Sequence, residues 1–210
     1  MDYPKGKFVE RLLSPEDIKG LSPAGHHIAL RIGFAFPMEE ENTLPLDWVN
    51  HYTLNGFMLF DPVIRWAYQN TGVVRWSEIE ISDERYVMKQ GHTFGLRFGA
   101  AISVLDPDSR GIRSFGSFAR SDREFNDLEL RLLRQFIIRR HTETAPPSNI
   151  TKAELEVLKM IKNGQRIKQI AHELQVSEGA IKQRLKNAKL KLDAKTGPQA
   201  AALAAQFGLI

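Results

Sequence analysis

Residues 167–192 read IKQIAHELQVSEGAIKQRLKNAKLKL, and this stretch decides the fold of the C-terminal part of the 210-residue chain. Apolar residues recur at helical spacing on either side of Gln175–Ser177, which predicts one helix over about Ile167–Leu174 and a second from Ser177 to about Leu192. Ser177 is a favoured N-cap, because its hydroxyl can accept a hydrogen bond from the first helical turn. Two short helices joined by three residues are typical of a helix-turn-helix.

Two further helices flank this pair. Thr151 and Glu154 have the spacing of a capping box, which satisfies two backbone donors at a helix start, and Asn163 and Gly164 mark the end of that helix. After the basic helix, a fourth helix is predicted from about residue 198 to residue 207.

The segment TETAPPSN, residues 142–149, contains two prolines among polar residues and precedes the capping box. We therefore predict three parts: a first domain over 1–141, a linker over 142–149 and an all-helical domain of four helices over 150–210. Charge is divided unevenly between them, since residues 150–210 carry 11 Lys and Arg against 5 Asp and Glu, whereas residues 1–149 carry 18 against 20. A small basic module on a near-neutral larger one is typical of a polyanion-binding protein.

One face of the helix that begins after Ser177 is basic. Ile181, Leu185, Ala188 and Leu192 repeat at helical spacing and form an apolar stripe, so the intervening lysines and amides project away from it. Lysines neutralise phosphates, and glutamine can pair with an adenine edge in the major groove. A solvated lysine-rich face is the alternative interpretation of this run. The predicted DNA-contacting residues are Lys182, Gln183, Arg184, Lys186 and Lys189.

The first domain combines strand and helix patterns. Strands are predicted over 28–36, 98–105 and 112–119, with a turn over 106–111 between the last two. Helix starts are indicated at Ser14 and Asp61, each followed by proline, helix ends at Asn55-Gly56 and Thr71-Gly72, and a long amphipathic helix over 122–141. The predicted fold is α+β: an N-terminal α/β/α sandwich with an antiparallel sheet, followed by the small all-α domain.

Four residues of the first domain form a candidate ligand site. Trp48 and Tyr52 are four residues apart and so share a helix face, and Asp61 and Trp76 follow on separate elements. An indole N–H, a hydroxyl and a carboxylate in an apolar pocket suit a small amphiphile whose head carries carbonyls and an amide N–H. Taken singly, Asp61 before proline is an ordinary N-cap, and both tryptophans are more often core residues.

Residues 150–210 closely resemble the C-terminal DNA-binding domain of the LuxR family over its whole length. Arg184 and Gly179 depart from the family pattern, which affects the expected operator sequence more than DNA binding itself. The positions that carry the resemblance are Thr151, Glu154, Glu156, Val157, Leu158, Gly164, Ile170, Ala171, Leu174, Val176, Ser177, Ile181, Lys182, Asn187, Lys191, Leu192 and residues 200–210.

Residues 44–118 resemble the acyl-homoserine-lactone-binding domain of the same family. The resemblance implies that Trp48 donates to the lactone carbonyl, that Tyr52 bonds an acyl carbonyl, that Asp61 accepts from the amide N–H and that Trp76 packs on the lactone ring. It also implies a pocket hydroxyl at Ser117, and it places Gly99 at a characteristic glycine of the central strands. Leu44 stands where many lactone receptors carry a tyrosine.

The resemblance implies a cytoplasmic bacterial regulator of quorum sensing that acts as a homodimer on a palindromic double-stranded DNA operator, binds an N-acyl-homoserine lactone and contacts RNA polymerase. Two alternatives stay open: an orphan regulator that needs no ligand or senses another one, and an interaction protein that sequesters a longer regulator in heterodimers. A response regulator fits the DNA-binding half, but the residues from Trp48 to Trp76 argue against a phosphoreceiver domain.

Other classes of function lack support in the sequence. Nucleophile elbows, phosphate loops and dinucleotide fingerprints do not occur, so we expect no enzyme activity and no cofactor. There are no cysteines, and the side chains of His26 and His27, the only adjacent histidines, would point to opposite faces of a strand, so we expect no metal site. The longest uncharged run, Thr196–Ile210, has 15 residues, too few to span a bilayer. The acidic run at residues 39–41 is interpreted as a solvated loop.

Overall fold

A computed structural model describes residues 13–33, 36–106 and 111–210 of the chain. The chain divides into two compact units, residues 1–143 and residues 144–210. The first unit is mixed α and β, and the second is helical.

The first unit contains five strands and five α-helices within its described residues. Short 3₁₀ turns also occur at Phe57–Leu59, Trp76–Glu78 and His92–Phe94. The helices and strands, in chain order, are α1 Pro15–Leu21, β1 Gly25–Ile32, β2 Glu39–Asn42, α2 Leu46–Leu54, α3 Pro62–Gln69, β3 Gly72–Arg75, α4 Val87–Gly91, β4 Phe98–Leu105, β5 Arg113–Arg120 and α5 Asp127–Glu143.

The five strands form one antiparallel sheet in the order β2-β1-β5-β4-β3. Because side chains alternate across a strand, the sheet has two apolar faces. One face packs against α5, and its main core residues are Ile28, Leu30, Ala100, Ile102, Phe118, Leu133, Phe136 and Ile137. The opposite face, with Ala101 and Phe115, packs against α3. Helices on both faces make the unit the predicted α/β/α sandwich.

Two of the local signals for the helices of this unit act as predicted, whereas α3 ends at Gln69, just before the predicted Thr71-Gly72. Ser14 caps α1 in a complete capping box, and α2 ends immediately before Asn55 and Gly56. The long helix begins at Asp127 rather than near Asp122, because Asp122 pairs with Arg120 and the Asn126 side chain accepts from the Glu129 backbone N–H.

The strand predictions were partly wrong. β4 has the predicted bounds, and β5 is shifted by one residue, but β1 ends at Ile32 and Phe36 lies outside it. Of the turn predicted over 106–111, residues 107–110 lie outside the described residues.

The acidic run at residues 39–41 belongs to a strand, so its interpretation as a loop was wrong. β2, with the sequence EEEN, pairs with β1 through the backbone at the edge of the sheet. Its carboxylates are held by basic neighbours: Glu40 pairs with His27 at 2.8 Å, and Glu39 pairs with Arg140 of α5. Charged side chains are a common protection for an edge strand, which explains why the pattern resembles a loop.

The second unit has four helices in the predicted places: α6 Lys152–Lys162, α7 Ile167–Glu173, α8 Glu178–Lys191 and α9 Gly197–Gln206. Thr151 and Glu154 form the capping box, and Ser177 caps α8 by accepting from the Ala180 N–H. Glu154 is buried, and its Oε2 atom lies 2.8 Å from Nζ of Lys191. This ion pair links the last turn of α8 to the start of α6.

In the described part of the chain, no helix has the length and apolar character needed to cross a membrane.

Candidate functional site

A cavity of about 420 Å³ lies between the sheet and helices α2, α3 and α4. Its size is within the range of small-molecule sites. Its wall is mostly apolar, including Leu44, Val49, Met58, Ile64, Met88 and Phe115. All five residues that the sequence singled out for ligand binding line it, namely Trp48, Tyr52, Asp61, Trp76 and Ser117.

Trp48 and Tyr52 lie on the same face of α2, as their spacing predicts, and their rings meet edge to face with centroids 5.5 Å apart. The Tyr52 hydroxyl donates a hydrogen bond of 2.9 Å to Asp61 Oδ2. Burial, followed by the charge of Asp61, raises the pKa of the Tyr52 hydroxyl above its usual value. Tyr52 is therefore a proton donor in the cavity.

Asp61 has two roles at once. It is the N-cap of α3, since its Oδ1 accepts from the Val63 N–H at 2.8 Å, while its Oδ2 accepts from Tyr52. Burial raises the pKa of the Asp61 carboxyl, and these two hydrogen bonds oppose that rise. The N-cap interpretation is therefore confirmed, and the cap leaves one carboxylate oxygen facing Tyr52.

The indole of Trp76 rests on Gly99 of β4. A Cβ atom at position 99 would lie 2.1 Å from Trp76 Cδ2, so only glycine fits beneath the ring. The Trp76 Nε1 atom is buried and has no hydrogen-bond partner among the described residues. A buried unpartnered donor is costly, so an acceptor brought by a ligand would be favoured there.

The alternation of side chains along β5 determines which side of the sheet Ser117 faces. Residues 113, 115 and 117 share one face of the strand, and all three line the cavity, whereas Phe118 belongs to the core beside α5. The Ser117 side chain is thus on the cavity side of the sheet.

The cavity wall also contains polar residues that the sequence did not single out, among them Tyr68 on α3 and Arg113 on β5; the others are His27, Glu40, Asn42 and Thr53. The Arg113 guanidinium donates from Nη1 to the backbone oxygens of Ala67 and Asn70, at 2.7 and 2.5 Å. The alternation of β5 was the available signal, because Arg113 is four residues before Ser117 and so shares its face.

The helical unit carries the other predicted surface. Lys182, Gln183 and Lys186 are exposed on α8, whereas Arg184 and Lys189 are half-buried at the edges of the apolar stripe. Gln183 Nε2 donates to Asn187 Oδ1 at 2.9 Å, which orients two amides along the exposed face. Ile181 and Ala188 are fully buried beneath it.

Among the residues that the structure describes, no group of three or more potential metal ligands is close enough to hold an ion. His26 and His27 point to opposite faces of β1, as predicted, since the first ring lies 5.8 Å from Phe118 and the second 6.0 Å from Phe115.

A sandwich domain with a ligand-sized cavity, followed by a helix-turn-helix unit with a basic face, defines a ligand-binding transcription regulator. Family models agree with both halves: residues 40–140 match the autoinducer binding domain, and residues 148–204 match the bacterial regulatory proteins of the luxR family. The two matches together cover about three quarters of the chain. The chain belongs to the LuxR family and is a quorum-sensing transcription regulator with an autoinducer-binding domain.

Two named relatives match this chain over most of its length. The regulatory protein SdiA of Escherichia coli is 27% identical over 79% of this chain and 74% of its own length. The HTH-type quorum-sensing regulator RhlR of Pseudomonas aeruginosa is 28% identical over 85% of this chain and 79% of its own length. A crystal structure of E. coli SdiA matches with a TM-score of 0.50 and 25% identity, covering 95% of this chain and 93% of that one. These relatives are transcription regulators, and this chain is a regulator rather than an enzyme.

Proposed function

We propose that the protein is a homodimeric regulator that binds an N-acyl-homoserine lactone in the cavity of its first unit and a palindromic DNA operator through α8. The convergence of Trp48, Tyr52, Asp61 and Trp76 on one cavity carries this proposal. In this assignment residues 1–141 bind the signal, residues 142–149 connect the domains and residues 150–210 bind DNA.

The head of the ligand occupies the polar end of the cavity. Its amide N–H donates to Asp61, its acyl carbonyl accepts from the Tyr52 hydroxyl, and its lactone carbonyl accepts from the Trp48 indole. Trp76 packs on the lactone ring, and Ser117 supplies a further hydroxyl. The contact between Tyr52 and Asp61 supports this assignment, because it places a hydroxyl and a carboxylate side by side, the pair of groups that an amide requires. The Tyr52 hydroxyl has one proton, so its donation to the acyl carbonyl replaces its hydrogen bond to Asp61.

Dimerisation would pair two helix-turn-helix units on the two half-sites of an operator. Lys182 and Lys186 neutralise phosphates, and the amide of Gln183, exposed beside them, reads a base edge. The regulator acts at promoters in the bacterial cytoplasm, with RNA polymerase as a further partner. Sedimentation of the protein with operator DNA tests the assembly: two chains per operator are expected, and one chain would overturn the dimer.

Thermal unfolding in the presence of lactones of increasing chain length tests the ligand. A ligand that binds only the folded state stabilises it by about 2.7 kcal/mol at a hundredfold excess over its Kd. A rise in Tm that peaks at one chain length is the expected result. A well-folded protein whose Tm responds to no lactone would contradict the proposal and would favour the orphan regulator instead.

A further inference from the structure

The cavity has two ends, and helix α3 runs between them. Asp61 stands at the N-terminus of α3, whereas Arg113 binds carbonyl oxygens near its C-terminus. The eight residues of α3 separate these two polar groups by about 12 Å along the helix axis.

Strand β5 also lies along the length of the cavity. Ala119 packs in the cluster of Trp48, whereas Phe115 packs against Val63 and Ala67 of α3. Arg113 lies two residues beyond Phe115 on the same face and is therefore at the end of the cavity far from Trp48.

Arg113 is a cation without a counterion in the described part of the chain, since no described carboxylate forms an ion pair with it. Its Nη1 donates to Ala67 O, Asn70 O and Ser103 Oγ, all of them neutral acceptors. Its Nε and Nη2 atoms donate to no described residue. Burial lowers the pKa of the guanidinium, but an arginine stays charged at neutral pH.

A purely structural role at the C-terminus of α3 explains only some of the features of Arg113. A cation that binds the last carbonyls of a helix stabilises its C-terminus, and the Nη1 contacts of Arg113 do so for α3. That role leaves the second edge of the guanidinium unused, although the residue lines an otherwise largely apolar cavity. Tyr68, also in the cavity wall, is close enough to Arg113 to interact with its charge, so this end has two polar groups.

We propose that the natural ligand carries an oxygen acceptor, above all a carboxylate, at the end of its acyl chain, and that Nε and Nη2 of Arg113 bind it. This inference rests on the proposed lactone site, because it places the head at Asp61 and the chain along the apolar wall formed by Ile64 and Phe115. A carboxylate matches the two parallel donors of a guanidinium edge and supplies the missing counterion.

Two matched series of homoserine lactones test the inference by titration calorimetry with the full-length protein. One series has unbranched alkyl chains of increasing length, and the other has chains of the same lengths that end in a carboxylate. We expect the best carboxylate-ended lactone to bind about tenfold more tightly than its alkyl counterpart, which corresponds to one charge-assisted hydrogen bond.

Two variants separate the charge of Arg113 from its structural role. Arg113→Lys keeps a cation at the site and should retain the preference for the carboxylate. Arg113→Gln keeps a donor for the α3 carbonyls and should lose the preference, so that the two lactones of each matched pair bind this variant with equal affinity.

The outcomes distinguish the inference from the function on which it rests. If alkyl lactones bind as tightly as carboxylate lactones at every length, the role of Arg113 is wrong and the lactone site stands. If Arg113→Gln keeps the preference, the carboxylate is bound elsewhere and the inference is also wrong. If neither series binds to the folded protein, the proposed lactone site fails and the inference fails with it.

Discussion

The hydroxyl of Tyr52 donates a hydrogen bond of 2.9 Å to Asp61 Oδ2. This contact joins the end of α2 to the start of α3, because Asp61 is also the N-cap of α3. The same two side chains are the proposed acceptor and donor for the ligand amide. The protein therefore holds its recognition groups in place with the atoms that are to bind the ligand.

Asp61→Asn separates binding from folding. Asparagine is as good an N-cap as aspartate, so we expect the free energy of unfolding to change by less than about 1 kcal/mol. Lactone affinity should fall at least about tenfold, because the carboxylate acceptor for the amide N–H is lost. Calorimetry and urea unfolding measure the two quantities, and unchanged affinity would remove Asp61 from the ligand contacts.

Tyr52→Phe should affect the stability of the first unit more than Asp61→Asn does. It leaves a buried carboxylate oxygen without its donor, which should destabilise the first unit by about 1–3 kcal/mol. Because the two residues touch, their effects on stability should not add, and the Tyr52→Phe/Asp61→Asn double variant should show a coupling of about 0.5–3 kcal/mol. Additive effects in urea unfolding would mean that the hydrogen bond contributes nothing.

Gly99→Ala tests the close contact between Gly99 and the indole of Trp76. The new methyl group would lie 2.1 Å from Trp76 Cδ2, so the ring must move towards the cavity. We expect a loss of about 1–3 kcal/mol of stability together with weaker lactone binding. Gly20→Ala is the control, because a methyl group at that position of α1 meets no atom within 4 Å. Equal melting temperatures for the two variants would contradict the close contact.

We expect His141 to make the stability of the first unit depend on pH. Its Nδ1 lies 2.7 Å from Ser114 Oγ and its Nε2 lies 3.3 Å from Arg31 Nη1. Burial and the charge of Arg31 lower the pKa of His141, although Asp106 opposes them. Since the folded state disfavours the protonated ring, the unfolded state binds the proton first.

Stability should therefore be complete above the unfolded-state pKa of about 6.5 and decrease as the pH falls through that value. Urea midpoints measured from pH 7.5 to pH 5.5 check this, and His141→Gln should flatten the decrease. His92→Gln, at an exposed position, is the matched control. An unchanged pH profile in His141→Gln would assign the dependence to other groups.

Lys182→Ala and Lys186→Ala test the DNA surface. Each lysine that contacts a phosphate releases counterions, so each variant should bind a random-sequence duplex more weakly and reduce the salt slope by about 0.9. Lys159→Ala removes an exposed lysine from α6 and is the control outside α8. If all three variants bind with the same salt slope, α8 does not lie on the phosphates.

Local patterns predicted those parts of the fold whose signals lie within a few residues of each other. The capping box of Thr151 and Glu154, the cap at Ser177 and the apolar run of β4 all act over short distances, and the structure confirms them. Strand β2 was missed because its residues are acidic, and its pairing with β1 depends on partners elsewhere in the chain.

The sequence by itself determined the two-part build, the helix-turn-helix and the residues that could form a ligand site. Helical spacing brings Trp48 and Tyr52 to one face, and no tertiary contact is needed for that inference. Only the tertiary structure decided that Asp61 bonds Tyr52, that Trp76 lies on Gly99, and that Arg113 lines the cavity. These contacts join residues on different elements, and the packing of the sheet against its helices, rather than any local pattern, sets the distances between them.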